Sequence, residues 1–409
     1  MRGKLRGFLL AVGASALLFG GRAQAAGWAT NQNGYQVYQN DDGSTVTNSW
    51  IKAMENGRTI WYYATNDGSL RMDGWQRVGS YWYYFDGNGV MQTGWVDNNN
   101  YYCDENGVMK TGWKQLTPPS DFFDGTENRS AGESYWFYFN TSTGEKFHAN
   151  GSGVKVRSID GVNYGFDEYG VMQTGWASTE GSSGDIRDYM YFATTSGKFK
   201  LGERLSNTWL AVIGPEESGN DGLSTGSVEW YYFKSSGHPA AGSAGGGELQ
   251  KINGKRYLFN EKGNPMYGIQ RDNEGNYYYC GSSKTDCSVR TGRLTLTEDD
   301  GDRVTAYFGT NGQGVTGVKD SYVYFKGKLL AAGSDSKYMQ IQSSSSVIDG
   351  YVVDTSGRVV KNRKNLKDKN GVKFSVDSSG RKVTYPDGGT LDTIDTQDKE
   401  NELEVSEND

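Results

Sequence analysis

Histidine, cysteine and proline are scarce in this 409-residue chain, which has His 2, Cys 3 and Pro 6. The histidines, His148 and His238, lie far apart in the sequence, so a His-based metal centre has no support and no metal ligand is assigned. No Gly-x-Ser-x-Gly elbow marks a catalytic serine. Carboxylates are plentiful but fall mostly in turns and loops. No catalytic residue is therefore assigned, no cofactor is expected, and the chain is read as not an enzyme. Aliphatic residues are thin for this length, which excludes one large core and favours small cores between neighbouring repeats. No apolar run beyond residue 25 is long enough to cross a membrane, so the mature chain is expected to have no transmembrane segment. The net charge of −7 makes nucleic acid a poor partner.

Glycine and aromatics are abundant instead, with Gly 58, Tyr 28, Phe 16 and Trp 11. They recur as a cassette. Gly74-Trp75 is followed by Tyr81-Trp82-Tyr83-Tyr84-Phe85, Asp86-Gly87-Asn88-Gly89 and Val90-Met91-Gln92-Thr93-Gly94-Trp95. The next copy runs Tyr101-Tyr102-Cys103-Asp104-Glu105-Asn106-Gly107-Val108-Met109-Lys110-Thr111-Gly112-Trp113. Gly94 lies 20 residues after Gly74, and Gly112 lies 18 after Gly94. A period of this size indicates a solenoid or array. The aromatic run has high strand propensity, and the Asp-Gly and Asn-Gly that follow suit a tight turn into a short Val-Met strand. A lone hairpin is marginal, so stacking explains the repetition. The expected fold is all-β, an elongated solenoid of stacked β-hairpin repeats of about 20 residues.

The best copies are 74–113 and 170–176, and weaker ones extend both ways. Three segments look inserted within repeats: Thr117 to Ser134, Ser178 to Asp188 and Gly214 to Glu229. Residues 1–25 read as a secretory signal, with Arg2, Lys4 and Arg6 before the apolar Leu9 to Phe19 and a small-residue site at Ala23-Gln24-Ala25. Residues 26–300 are assigned to hairpin repeats, 301–386 to degenerate repeats, and 387–409 to a disordered acidic tail. Before the tail, Arg358, Lys361, Arg363, Lys364, Lys367, Lys369 and Lys373 form a basic stretch. Three cysteines leave at least one unpaired in an exported protein. Cys280 and Cys287 would face each other across a hairpin, as a local disulfide or as two free thiols, and the disulfide is expected. Cys103 takes the position of Phe85 and reads as a packing residue.

Gly-Trp, Trp-Tyr-Tyr-Phe, Asp-Gly-x-Gly, Val-Met and Thr-Gly-Trp together resemble the cell-wall-binding repeat of Gram-positive bacteria, the choline-binding and glucan-binding repeat superfamily. The resemblance is specific over 74–113 and 170–176 and faint beyond 300. It implies secretion, cell-wall association and attachment to teichoic acid or extracellular polysaccharide. It also implies ligand cages between consecutive hairpins, each using the Trp of Gly-Trp, the strand Trp, an aromatic of the next hairpin and a nearby Met. Carried over, it points to Trp50 and Trp61 with Tyr83 or Tyr84, and to Trp75 and Trp82 with Tyr101 or Tyr102 and Met91 alongside. Trp95, Trp113 and Trp176 are further candidates. Asn100 stands where the Trp95 cage needs its second Trp, and an insertion follows Trp113. The expected function is non-catalytic binding of choline-bearing teichoic acid or glucan. One alternative is an adhesin binding host surface molecules through the inserted loops. Another is a wall-active hydrolase with an unrecognised site.

Overall fold

A computed structural model describes residues 25–123, 132–181, 184–215, 223–224, 226–243 and 246–407. The secretory signal assigned to 1–25 therefore lies, but for Ala25, outside the described residues. The chain divides into two compact units, Met1–Phe147 and His148–Asp409.

The first unit is a succession of two-stranded antiparallel hairpins. They are β1 (Gly27–Thr30) with β2 (Gln36–Gln39), β3 (Ser49–Glu55) with β4 (Arg58–Ala64), and β5 (Gly74–Val78) with β6 (Tyr81–Phe85). Then come β7 (Gly94–Val96) with β8 (Tyr101–Cys103), and β9 (Gly112–Leu116) with β10 (Tyr135–Phe139). This phase differs from the expected one. The aromatic strand pairs with the Gly-Trp strand before it, Trp75 opposite Tyr84 and Gly74 opposite Phe85, with the turn at Gly79-Ser80. The Val-Met segment makes only a one-residue bridge, Phe85 to Met91. The reason is local: Gly94, at φ 77, swings the chain into the next hairpin before a second strand can grow.

Asp86-Gly87-Asn88-Gly89 is a side-chain-capped turn. The Asp86 carboxylate accepts from the backbone N–H of Asn88 and of Val90, both at 2.9 Å, and Gly89 N–H donates to Asp86 O. Asp104 repeats this with Asn106 and Val108. The residue after the turn then ties its repeat to the one before. Met91 N–H donates to Trp61 O at 2.8 Å, Met109 N–H to Trp82 O at 2.9 Å and Lys146 N–H to Asn100 O at 2.8 Å. A Cβ on Gly107 would collide with Met91 Sδ, so each Met packs on the bare turn of the following repeat. Alternation along each strand sends one face inward: Tyr83 and Phe85 are buried while Trp82 is exposed. Cys103 is buried at the register position of Phe85, as a packing residue.

The second unit opens with the same hairpins. They are β11 (Lys155–Ile159) with β12 (Val162–Phe166), β13 (Gly175–Ser178) with β14 (Tyr189–Phe192), and β15 (Thr208–Ile213) with β16 (Val228–Phe233). β17 (Glu248–Ile252) pairs with β18 (Lys255–Phe259), and β19 (Ile269–Arg271) with β20 (Tyr277–Tyr279). Larger sheets follow. β21 (Gly292–Thr297), β22 (Arg303–Phe308), β23 (Gly317–Lys319), β24 (Tyr322–Phe325) and β25 (Lys328–Leu329) form a five-stranded sheet in the order β21-β22-β25-β24-β23. β26 (Tyr338–Gln342), β27 (Val352–Asp354), β28 (Arg363–Lys367), β29 (Lys373–Val376), β30 (Val383–Thr384) and β31 (Thr393–Asp395) make the sheets β27-β26-β31 and β28-β29-β30.

Two expectations are overturned here. Residues 387–407 are not a disordered tail. β31 adds to β26 in parallel, Ile394 beside Ile341, and Leu391, Ile394 and Leu403 are all buried. These apolar residues, spaced among the acids without a period, anchor a segment whose charge alone argued for disorder. Glu402 accepts from the Tyr277 hydroxyl at 2.8 Å and pairs with Lys326, and Ile269 N–H donates to Ser406 Oγ at 3.0 Å. The disulfide is also absent: Cys280 and Cys287 are free and buried. Ser288, next to Cys287, bridges Tyr257 of the preceding hairpin, and Arg290 N–H donates to Tyr279 O at 2.8 Å, so the segment touches both β18 and β20.

Candidate functional site

The register that builds the hairpins also builds a recurring slot. Four positions converge on it: the Trp of Gly-Trp, the residue opposite that Trp's second neighbour, the aromatic two residues before the end of the next hairpin's second strand, and the post-turn residue. At the second slot of the first unit these are Trp50, Trp61, Tyr83 and Met91. They line a cavity of about 230 Å³ together with Glu105 and Asn106. Trp50 and Trp61 stand nearly perpendicular, 6.4 Å apart at 87°, and Trp50 meets Tyr83 edge-on at 4.8 Å. Trp61 is 36% exposed, so its face is reachable from solvent. Burial first, then the nearby Tyr81 and Asp104, raise the Tyr83 pKa, which keeps the phenol neutral at physiological pH. Glu105 is exposed on the turn that lines the cavity and contributes negative charge. Lys52 Nζ lies 5.8 Å from the Trp61 ring centroid, at the outer limit of a cation–π contact.

The third slot repeats this chemistry with Trp75, Trp82, Tyr101 and Met109. Trp75 meets Tyr101 at 4.9 Å, its indole N–H donates to Asp97 at 3.0 Å, and Trp82 is 43% exposed. Met109 packs on the Gly144 turn as Met91 does on Gly107. The structure thus sorts the residues differently from the sequence reading. Met91 belongs with Trp50 and Trp61, and Met109 takes its place beside Trp75. Tyr84 and Tyr102 are outside the slots: each backs its own Trp across the hairpin, Trp75–Tyr84 at 5.2 Å and Trp95–Tyr102 at 5.6 Å.

The slots at Trp95, Trp176 and β19 hold the chain's own side chains. Around Trp95, Phe137 lies at 4.8 Å and Phe122, from the segment inserted between β9 and β10, at 4.9 Å. Lys146 occupies the Met position there. Trp113 does find a strand Trp despite the insertion, with Trp136 at 6.3 Å and 80°, the geometry of Trp50 and Trp61. Trp176 is half-buried against a core cluster. It packs against Tyr191 and Tyr231 in a cluster with Ile186 and Leu223, both buried and both from inserted segments. In the slot of β19, Ile269 replaces the Trp and Ala306 the aromatic, and Leu403 of the C-terminal segment fills the space. Sequence reading missed Glu105, Asn106, Met109, Trp136 and the Trp209–Tyr257 contact at 5.1 Å. Of these only Tyr257 was countable, standing two residues before Phe259 as Tyr83 stands before Phe85.

Comparison with known proteins places this chain among repeat proteins of the cell wall. The choline-binding repeat profile matches residues 72–113, and a cell wall binding repeat profile matches 229–238. Glucosyltransferase-S of Streptococcus mutans is 28% identical over 368 residues, which is 83% of this chain but only 22% of that enzyme. CbpJ of Streptococcus pneumoniae is 20% identical, with a TM-score of 0.38 over 81% of this chain and 99% of that one. Choline binding protein F of Streptococcus pneumoniae is 17% identical, with a TM-score of 0.36 over 88% of this chain and 99% of that one.

Proposed function

We propose that this chain, which carries repeats of the choline-binding, cell-wall-binding family, is an exported non-catalytic protein that holds choline-bearing teichoic acid through the Trp50 and Trp75 slots. The observation that carries the reading is the Trp50 cavity: three aromatic faces, a thioether and the Glu105 carboxylate around about 230 Å³. A quaternary ammonium gains roughly 0.5–2 kcal/mol per aromatic face, and Glu105 favours a cation over a neutral sugar. Three such faces correspond to about millimolar affinity for one site. A polymer carrying many choline groups and engaging two slots on one chain multiplies that by effective concentration.

Glucan is the second reading. The similarity to a glucosyltransferase favours it, as does the fit of flat Trp and Tyr rings to sugar C–H faces. Competition separates the two on the whole protein bound to purified walls. Release by millimolar choline and not by dextran supports teichoic acid. Release by dextran alone reassigns the slots to glucan, and release by neither removes the slots from wall binding. Reducing-sugar or peptide release from walls by the purified protein would overturn the non-catalytic reading.

A further inference from the structure

The slot around Trp95 is built like the two before it, with one substitution that changes what it can accept. Met91 bridges Phe85 and donates its N–H to Trp61 O; Met109 bridges Cys103 and donates to Trp82 O; Lys146 bridges Phe139 and donates to Asn100 O. Lys146 is therefore the register equivalent of the cage methionines. Its ammonium does not reach out to water as a surface lysine does. The residue is 6% exposed, and Nζ lies 4.6 Å from the Phe122 ring centroid and 5.6 Å from that of Trp95. Asn100 stands where the other slots have Trp61 and Trp82, which would leave the cage one wall short. Phe122 restores a third ring, 4.9 Å from Trp95 and 5.9 Å from Phe137, and is itself buried.

We propose that this slot is an ammonium cage filled in cis, with Lys146 as a tethered ligand and Phe122 as the wall that completes the cage around it. The inference rests on reading the Trp50 and Trp75 slots as ammonium sites. It has two consequences. The slot is closed to choline from the wall, so one lysine removes a site from this unit. The cation also holds Phe122, which follows β9, against Trp95 and Phe137.

The test is choline stoichiometry by isothermal titration calorimetry on the whole chain and its Lys146→Met, Lys146→Ala and Lys146→Arg variants. Lys146→Met restores the residue of the open slots and should bind one more equivalent of choline than the parent. Lys146→Arg keeps a tethered cation and should bind the same number as the parent. Lys146→Ala should lose several degrees of Tm, and n-butylammonium should restore them saturably, beyond the smaller rise its binding at the open slots gives the parent. A folded Lys146→Met with unchanged stoichiometry, together with no rescue of Lys146→Ala, would overturn the proposal. If Lys146→Ala does not fold, Lys146→Met decides alone. A parent that binds no choline beside a Lys146→Met variant that binds one equivalent would sink the Trp50 and Trp75 reading and keep this one.

Discussion

Replacing Trp61 with alanine removes one wall of the Trp50 cage and little of the fold. The side chain is 36% exposed, stands opposite Lys52 and touches Trp50 only edge-on at 6.4 Å. Trp50 is the wrong choice for this experiment, because it also packs on Tyr63, Tyr83 and Phe85 at 5.2, 4.8 and 6.1 Å. Its loss would cost folding free energy toward the 3–5 kcal/mol typical of a large aromatic, roughly. Losing one aromatic face of three costs a quaternary ammonium about 0.5–2 kcal/mol, a fall in choline affinity of about 2- to 30-fold at that site. Calorimetry with choline measures this directly, with circular dichroism and Tm confirming an unchanged fold. Retention on purified walls should fall by more than the single-site factor, because avidity multiplies the sites. Trp61→Ala combined with Trp82→Ala removes a wall from the Trp50 slot and from the Trp75 slot. A folded double variant that binds choline and walls as tightly as the parent would refute the cage.

Gly107→Ala should lower stability by about 1–2 kcal/mol, read as a lower Tm, because φ is 78 there and the added methyl meets Met91. Trp176→Ala should leave choline stoichiometry unchanged while costing about 3–5 kcal/mol in chemical denaturation, because its slot is filled by Ile186 and Leu223. Burial would raise the Glu402 pKa, but hydrogen bonds from Lys326 and Tyr277 outweigh it and hold the carboxyl below its ordinary value. Its contribution is therefore present above the unfolded-state value of about 4.3 and lost as pH falls through the lowered one, so hydrogen exchange at 402–406 should accelerate selectively in acid. Burial pushes the Cys103 thiol up to about 12 and the Cys280 and Cys287 thiols upward as well. Native protein should resist maleimide at pH 8, and all three thiols should react in denaturant without reductant.

The repeat itself was legible because its chemistry is local. Turn geometry needs Asp86 and Gly89, strand propensity needs the aromatic run, and a glycine must turn the chain at Gly94. The hairpin phase was misread because both a preceding Gly-Trp strand and a following Val-Met strand were compatible with the pattern. Only backbone pairing separates them, and it puts Trp75 opposite Tyr84. That one shift reassigned Met91, selected Tyr83 over Tyr84 and brought the next turn's Glu105 to the cavity.

Sequence alone determined the β-hairpin array and the Trp50–Trp61 and Trp75–Trp82 pairs, because each follows from spacing and side-chain type within one or two repeats. Tertiary structure alone decided which slots are open. Phe122, Ile186 and Leu403 reach their slots from inserted segments or from the C-terminal stretch, and no period connects them to the aromatics they meet. Contacts of that kind depend on where the chain returns in space, which a repeat pattern does not encode.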